Sequence, residues 1–373
     1  MAKISLKFAD IAAAAVFAAL SAALLFIGGP QAVTGASKEA AEVLSVDNAP
    51  MQRLGMLYQG SQSLSVKITS GEKRGQIFRA ENNLRAQMDL DKVFKPGDTI
   101  IVAIPKGADA KTSVLNAQDF YRGASAAILV GLFALLLAAF AGWTGIKALL
   151  SFVFSALFIW KIVVPMCLSG ANAVLVCFVS VAILTFAIIF LVAGPTKKAL
   201  AAFSGAMLGV GASCLMAIVF SEIFHINGAV MPFSQALLYS GREFLNLSDL
   251  FVGGIFLSSS GAVMDLAMDV AAGQDEVRAH SPQISRRALI LSGWRIGRSV
   301  VGTMTTTLLL AYSGGYLTLM MAFSAEGVSA IDFISNPYVA AELVKTIIGS
   351  FGLVLVAPFT AIVGGFVFAG KGK

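Results

Sequence analysis

Eight runs of roughly twenty apolar residues, each bounded by polar or turn-forming residues, constrain this chain more than any other feature. They cover 11–27, 124–142, 146–164, 173–193, 200–220, 250–270, 296–316 and 343–368. A hydrocarbon core about 30 Å thick takes about 20 residues as a helix. Backbone polar groups in oil must be satisfied within the segment, so each run is predicted to be a transmembrane helix. Composition points the same way, with 57% hydrophobic residues against 13% charged. Average soluble chains carry about a quarter charged residues, which excludes an ordinary water-soluble domain, and a disordered chain would need the opposite balance. The sixth and seventh runs are the least apolar. Gly253, Gly254, Ser258, Ser259, Ser260 and Asp265 dilute one, while Arg298, Thr303, Thr305, Thr306 and Thr307 dilute the other. Both are expected inside the bundle, away from lipid.

The formal net charge of +6 does not signal nucleic-acid binding. Of the 27 Lys and Arg residues, 11 lie between positions 30 and 120, where 10 acids match them. Most others flank apolar runs, where cations mark the cytoplasmic side. With eight crossings and an inside N-terminus, Lys3, Lys7, Lys147, Lys197, Lys198, Arg278, Arg286, Arg287, Arg295, Arg298, Lys371 and Lys373 fall inside, and Arg122, Lys161, Arg242 and Lys345 fall outside. Both termini are therefore expected in the cytoplasm, with residues 30–120 outside. The first run also fits a cleaved signal peptide, because Lys3 and Lys7 precede it and Thr34 and Ala36 follow. Its length favours an uncleaved anchor.

Between the first and second runs the period changes from helical to alternating. Residues 64–68 alternate apolar and polar, 70–73 read as a turn, and 75–80 resume in extended form. The turn at 95–98 then leads into the β-branched run 99–104, which Pro105 ends. The fold expected is an all-α polytopic membrane bundle of about eight helices, with a small extracytoplasmic β-barrel-like domain of OB or SH3-like size inserted after the first helix. Its parts are an anchor over 1–29, the β-rich domain over 30–120 and a seven-helix domain over 121–373. Such barrels bind many different partners, so this fold names no ligand.

Chemistry-bearing residues are few. Cys167, Cys177 and Cys214 sit in apolar runs and suit no disulfide framework, and His225 and His280 fall in different loops. No metal and no cofactor is expected. Asp265 and Asp269 lie four apart on one helical face that continues to Ser258. A carboxylate in hydrocarbon is costly, so that face is expected to meet protein or water. Across a loop, Arg295 and Arg298 enter the seventh run, and Arg298, Gly302 and Thr305 share a face. If the two helices pair, Asp265 and Arg298 are expected at comparable depth. Either they form a structural ion pair, or Asp265 titrates at the base of a polar cavity beside Arg298, with Ser258, Thr303 and Thr305 lining a hydrophilic path. The hydroxyls have a plainer alternative in bonds to their own helix. Two acids on one helix, with none facing them, suit aspartyl hydrolysis poorly, so no enzymatic role is expected. Gly205, Gly209, Gly261, Gly297 and Gly302 are expected to serve helix packing. In the loop 274–292, Ser281 is expected to cap a basic amphipathic helix starting at Pro282, lying on anionic lipid or docking a cytoplasmic partner.

The segment around Glu81-Asn82-Asn83, the Asp119-Phe120-Tyr121-Arg122 entry to the second run, Gly261 to Asp265, and Ile296-Gly297-Arg298 followed by Gly302-Thr303-Met304-Thr305 and Thr307 to Tyr312 together resemble the YibE/F-like family of multispanning bacterial membrane proteins. Ser299 and Thr306 stand where an acid and an amide are expected. The resemblance implies a bacterial inner-membrane protein of permease-like role and supplies no substrate. The function expected is therefore a permease moving an unknown small solute or ion along a polar seam between the sixth and seventh helices. The alternatives are a scaffold binding an envelope protein through its outer domain, or the permease subunit of an ATPase-driven complex.

Overall fold

Strict alternation along the extended segments closes the first unit. In the computed structural model, which describes residues 2–27, 36–110 and 112–368, contacts divide the chain into Pro30–Leu136 and a second unit of Met1–Gly29 with Leu137–Lys373. The first holds β1 (Ala36–Asp47), β2 (Met51–Leu54), β3 (Leu57–Ile68), β4 (Ile77–Arg85), β5 (Thr99–Pro105) and β6 (Val114–Phe120). Their order is β1-β5-β6-β4-β3, and β3 pairs back to β1, so five strands form a closed barrel with β2 added outside β3. All pairings are antiparallel except β4 with β6. Val66, Ile68, Phe78, Ile100, Val102 and Leu115 fill the interior. Closure removes the free sheet edges that would otherwise invite association.

One polar pair crosses this core. Gln62 is fully buried, and its carboxamide is satisfied on every side. Its Oε1 accepts from Phe94 N at 2.9 Å and Asn82 Nδ2 at 2.8 Å, while Nε2 donates to Phe94 O at 3.2 Å and Asn48 Oδ1 at 2.7 Å. Asn82 also donates to Lys92 O at 2.6 Å. The pair pins the β4–β5 connection across the barrel and holds the Phe94 ring inside.

The second unit is helical. It includes α1 (Ala2–Phe26) and, from Leu137 on, α2 (Gly123–Phe158), which continues through a π turn at Ile159–Val163 into Val164–Leu168. Then come α3 (Ala173–Ala193), α4 (Lys197–Ile223), α5 (Leu247–His280), α6 (Arg286–Ser313) and α7 (Pro337–Phe368). Side-chain caps set the starts: Asn172, Thr196, Asn246 and Ser285 each accept from the first turn of α3 to α6. Among the described residues, six helical stretches are long and apolar enough to cross a membrane: Gly123–Leu168, Ala173–Ala193, Lys197–Ile223, Leu247–His280, Arg286–Ala325 and Pro337–Phe368, with a shorter apolar helix at Asp10–Phe26. That is the signature of a multi-pass membrane protein. The second and third expected spans fall within one stretch. It is broken at Gly142, whose φ of 53° and ψ of −129° are non-helical. The bend brings Gly145 against the Leu137 carbonyl, where a Cβ would not fit.

Small residues bring α4, α5 and α7 together. A Cβ on Gly205 would collide with Thr360, and one on Gly209 would meet Val356, Val263 and the Gly352 carbonyl. Ala201, Ala202, Ala206 and Ala217 are fully buried beside them. With lipid as apolar as any side chain, such close approach is what holds helices together. Gln274 of α5 adds a polar clamp, donating to Leu289 O of α6 at 3.0 Å and Ala361 O of α7 at 2.9 Å. Its Nε2 is satisfied there, and α5 runs on to His280, where a loop was expected. No separate helix starts at Pro282: Ser281 ends α5, Ser285 caps α6, and Leu289 is buried in the bundle. Lys371, Lys373 and Thr34 lie outside the described residues, as do the side chains of Lys3 and Lys7.

Candidate functional site

In hydrocarbon an ionised side chain costs about 2.5–3.5 kcal/mol unless something meets it, so the polar residues of the long helices locate the site. On α5, Ser258, Gly261, Asp265 and Asp269 recur every three or four residues and are all exposed. Ser259, Val263, Leu266, Ala267, Val270 and Gln274 on the same helix are buried. On α6, Leu289, Gly293, Gly297 and Leu308 point inward. Arg295, Arg298, Ser299, Gly302, Thr303 and Thr306 form the exposed face, with Thr305 half-buried at its border. The polar faces of two neighbouring helices thus point out of the bundle.

The contacts between the helices fix their register. A Cβ on Gly273 would meet Ile296, Gly297 packs near Val270 and Ala357, and Ser258 Oγ lies 2.9 Å from the Tyr312 hydroxyl. This antiparallel register sets Arg298 level with Asp269, and Asp265 level with Gly302 and Thr303, about one turn away. Asp265 and Arg298, expected at comparable depth, thus lie about one turn apart along the helix pair. Among the described residues no ion pair involves Asp265, Asp269, Arg295 or Arg298. The physical reason is rotation. Val270 and Gly297 occupy the contact, and successive helical residues are about 100° apart, so Asp269 and Arg298 turn outward.

The hydroxyls bond to their own helix. Thr303 donates to Val300 O at 2.9 Å, Thr305 to Val301 O at 3.0 Å, Thr306 to Gly302 O at 3.1 Å and Thr307 to Thr303 O at 3.0 Å. Ser258 donates to Ile255 O at 2.8 Å as well as reaching Tyr312. Of the packing glycines, Gly205, Gly209 and Gly297 lie against neighbours, whereas Gly261 and Gly302 face open space. For those last two, packing within the chain is corrected: they sit on the outward polar face.

Cavities open at the end of the bundle where α5 begins. One, of about 510 Å³, is lined by Phe233, Phe251, Tyr316, Tyr338, Glu342 and Lys345 among others. Glu342 and Lys345 pair at 2.9 Å on its wall, and Phe233 is held at a φ of 62°, a strained conformation for a bulky residue. The second, of about 610 Å³, includes Glu222, His225, Ser248 and Asp249. Among the described residues no three His, Cys, Asp or Glu side chains gather closely enough to hold a metal ion. Neither cavity is lined by Asp265, Asp269 or Arg298. Tyr316, in the cavity wall, lies four residues after Tyr312, in the turn that follows α6, and Tyr312 in turn reaches Ser258 on the α5 stripe.

Sequence reasoning missed three features. Lys147, placed in a cytoplasmic loop, is buried, with its Nζ 3.7 Å from Asp10 and 3.1 Å from Val192 O. Its signal was a lone lysine just past a glycine break, matched by a lone acid opening the first apolar run. Glu342 and Lys345, three apart at the head of the last run, gave the cavity pair. Gln274 had no signal, because only the fold shows what its amide touches.

A family model described as YibE/F-like protein matches residues 129–370, and one described as YibE/F family N-terminal domain matches residues 37–119. No curated protein and no solved structure matches the chain.

Proposed function

From the premise that the chain belongs to the YibE/F-like family, we propose that it is an inner-membrane permease that passes a small polar solute or an ion along the polar face of α5 and α6. The observation carrying this reading is the row that starts at the Glu342–Lys345 cavity, continues through Tyr316, Tyr312 and Ser258, and ends at Asp265, Asp269 and Arg298. Polar groups are otherwise sparse in these helices, and intramembrane charges mark solute and proton paths more often than chance placement would. The cluster of arginines from Arg278 to Arg298 supports a cytoplasmic location for that end of the bundle and for both termini. The cavity then opens outward.

The test is flux. In proteoliposomes carrying an internal pH dye, the wild-type chain dissipates an imposed proton or solute gradient, and Asp265→Asn abolishes this while Ser258→Ala slows it. Flux equal to wild type in Asp265→Asn, at matched insertion, sinks the path. A second reading, a scaffold binding an envelope partner, is favoured by the barrel surface. The β2–β3 turn and the segment after β4 expose Leu54, Met56, Met88 and Leu90, and Ala86 N donates to Tyr58 O at 3.0 Å, so both lie at one end of the barrel. Its strand order, with the third and fifth barrel strands parallel, is that of an OB barrel. Full cellular function in Asp265→Asn, with loss on Met56→Asp and Met88→Asp, supports the scaffold instead.

A further inference from the structure

We propose that the outward polar face of α5 and α6 is an interface with a second copy of this chain, related by a twofold axis along the membrane normal. Elsewhere the outward surfaces are what lipid requires: Leu175 on α3 and Leu200, Leu208 and Leu215 on α4 are exposed and apolar. The α5–α6 face inverts that rule. Its exposed positions include Asp265, Asp269, Arg295 and Arg298, none of them in an ion pair within the described chain. Groups of this kind do not face acyl chains; they pair with one another or line water.

Charge complementarity identifies the occupant. The face carries an acidic row on α5 beside a basic row on α6, so whatever covers it must present a basic row beside an acidic one. An isologous partner does so by symmetry, since a twofold contact sets the same patch on both subunits against itself. An axis along the membrane normal also preserves depth. Arg298 is level with Asp269 within the chain, as the Gly297–Val270 and Gly273–Ile296 contacts require. Asp269 of one copy therefore arrives level with the partner's Arg298. The open space at Gly261 and Gly302 has the same meaning, because glycine on an outward helix face lets another helix approach closely. The inference rests on the membrane-spanning reading of α5 and α6 and deepens the path reading by closing its open side.

The test uses the full chain in lipid bilayers with Cys167, Cys177 and Cys214 replaced by Ala. Gly302→Cys and Thr306→Cys report the face, and Leu215→Cys reports the lipid-facing surface of α4. Oxidation is expected to convert the two face variants to a disulfide-linked dimer several-fold more efficiently than Leu215→Cys. On the Thr306→Cys chain, Asp269→Arg and Arg298→Asp are each expected to lose the dimer, and the two together to restore it. Crosslinking no higher than in Leu215→Cys, a single copy per nanodisc by photobleaching, or crosslinks only to a different protein overturns the proposal. If a charge reversal prevents insertion, Gly302→Cys, which changes no charge, and the copy count still decide. A wild-type chain that dimerises but carries no flux removes the path reading alone; a wild-type chain that carries flux but forms no dimer removes this one alone.

Discussion

Replacing Gln62 by Met is expected to destabilise the barrel severely, although the two side chains are close in volume. Four hydrogen bonds end on the Gln62 carboxamide, at 2.7–3.2 Å, in a fully buried position. Each lost bond removes a net ~1 kcal/mol, and a buried group left unpaired costs about 1–3 kcal/mol. Phe94 N–H and C=O are left in the core without their partner, while Asn82 keeps its bond to Lys92 O. Allowing for the apolar area that Met buries, the loss is about 3–5 kcal/mol. A domain of this size is stable by only about 4–13 kcal/mol. The assay is urea unfolding of residues 30–121, followed by far-UV circular dichroism because all three tryptophans lie outside the barrel. With a urea slope of about 1–2 kcal/mol/M, the midpoint should fall by about 1.5–5 M. Gln59→Met, the same change at an exposed position of β3, should stay within about 0.5 kcal/mol of wild type. Amide exchange in 86–98 should also quicken, since the clamp holds that segment. Equal midpoints for the two variants would refute the reasoning.

Asp10→Asn should destabilise the helical unit more than Lys147→Met: the first leaves a buried ammonium with one carbonyl, the second removes the charge together with its desolvation cost. Thermal melts in detergent rank them, and the reverse order counts against the pair. Asp119 titrates below the usual carboxylate range, chiefly through its hydrogen bond with Arg122, against the opposing effect of burial. A depressed folded pKa gives stability that is present above the unfolded pKa and lost as pH falls through the folded one. Arg122→Ala should therefore raise the Asp119 midpoint by carboxyl NMR, and the stability gap from wild type should close on acidification; an unchanged midpoint counts against it. Gly205→Val should separate α4 from α7 at Thr360 at a cost of about 1–3 kcal/mol or more, measured as a lower melting temperature, whereas Gly211→Val, at open space, should not.

Along the chain, reading by period located the apolar stretches well, because twenty-residue runs leave the backbone no choice but helix. The barrel was legible where alternation was strict, at β4 and the core of β3, and at the β-branched run of β5. It was not legible at β1, whose Ala36–Asp47 segment mixes small and charged residues, or at β6, which pairs in parallel with β4. At the site, Asp265, Asp269 and Arg298 stood out because charge within an apolar run is rare. Their register did not, since it depends on which glycines touch across the helix pair.

Sequence alone determined that apolar helices form and that two of them carry charge, because local hydrogen bonding and hydrocarbon length act residue by residue. Tertiary structure alone decided which way those charges point. Gly273, Gly297 and Gln274 draw α5 and α6 together along one strip, and with the small residues in contact, the acids and arginines beside them are turned to the outer face.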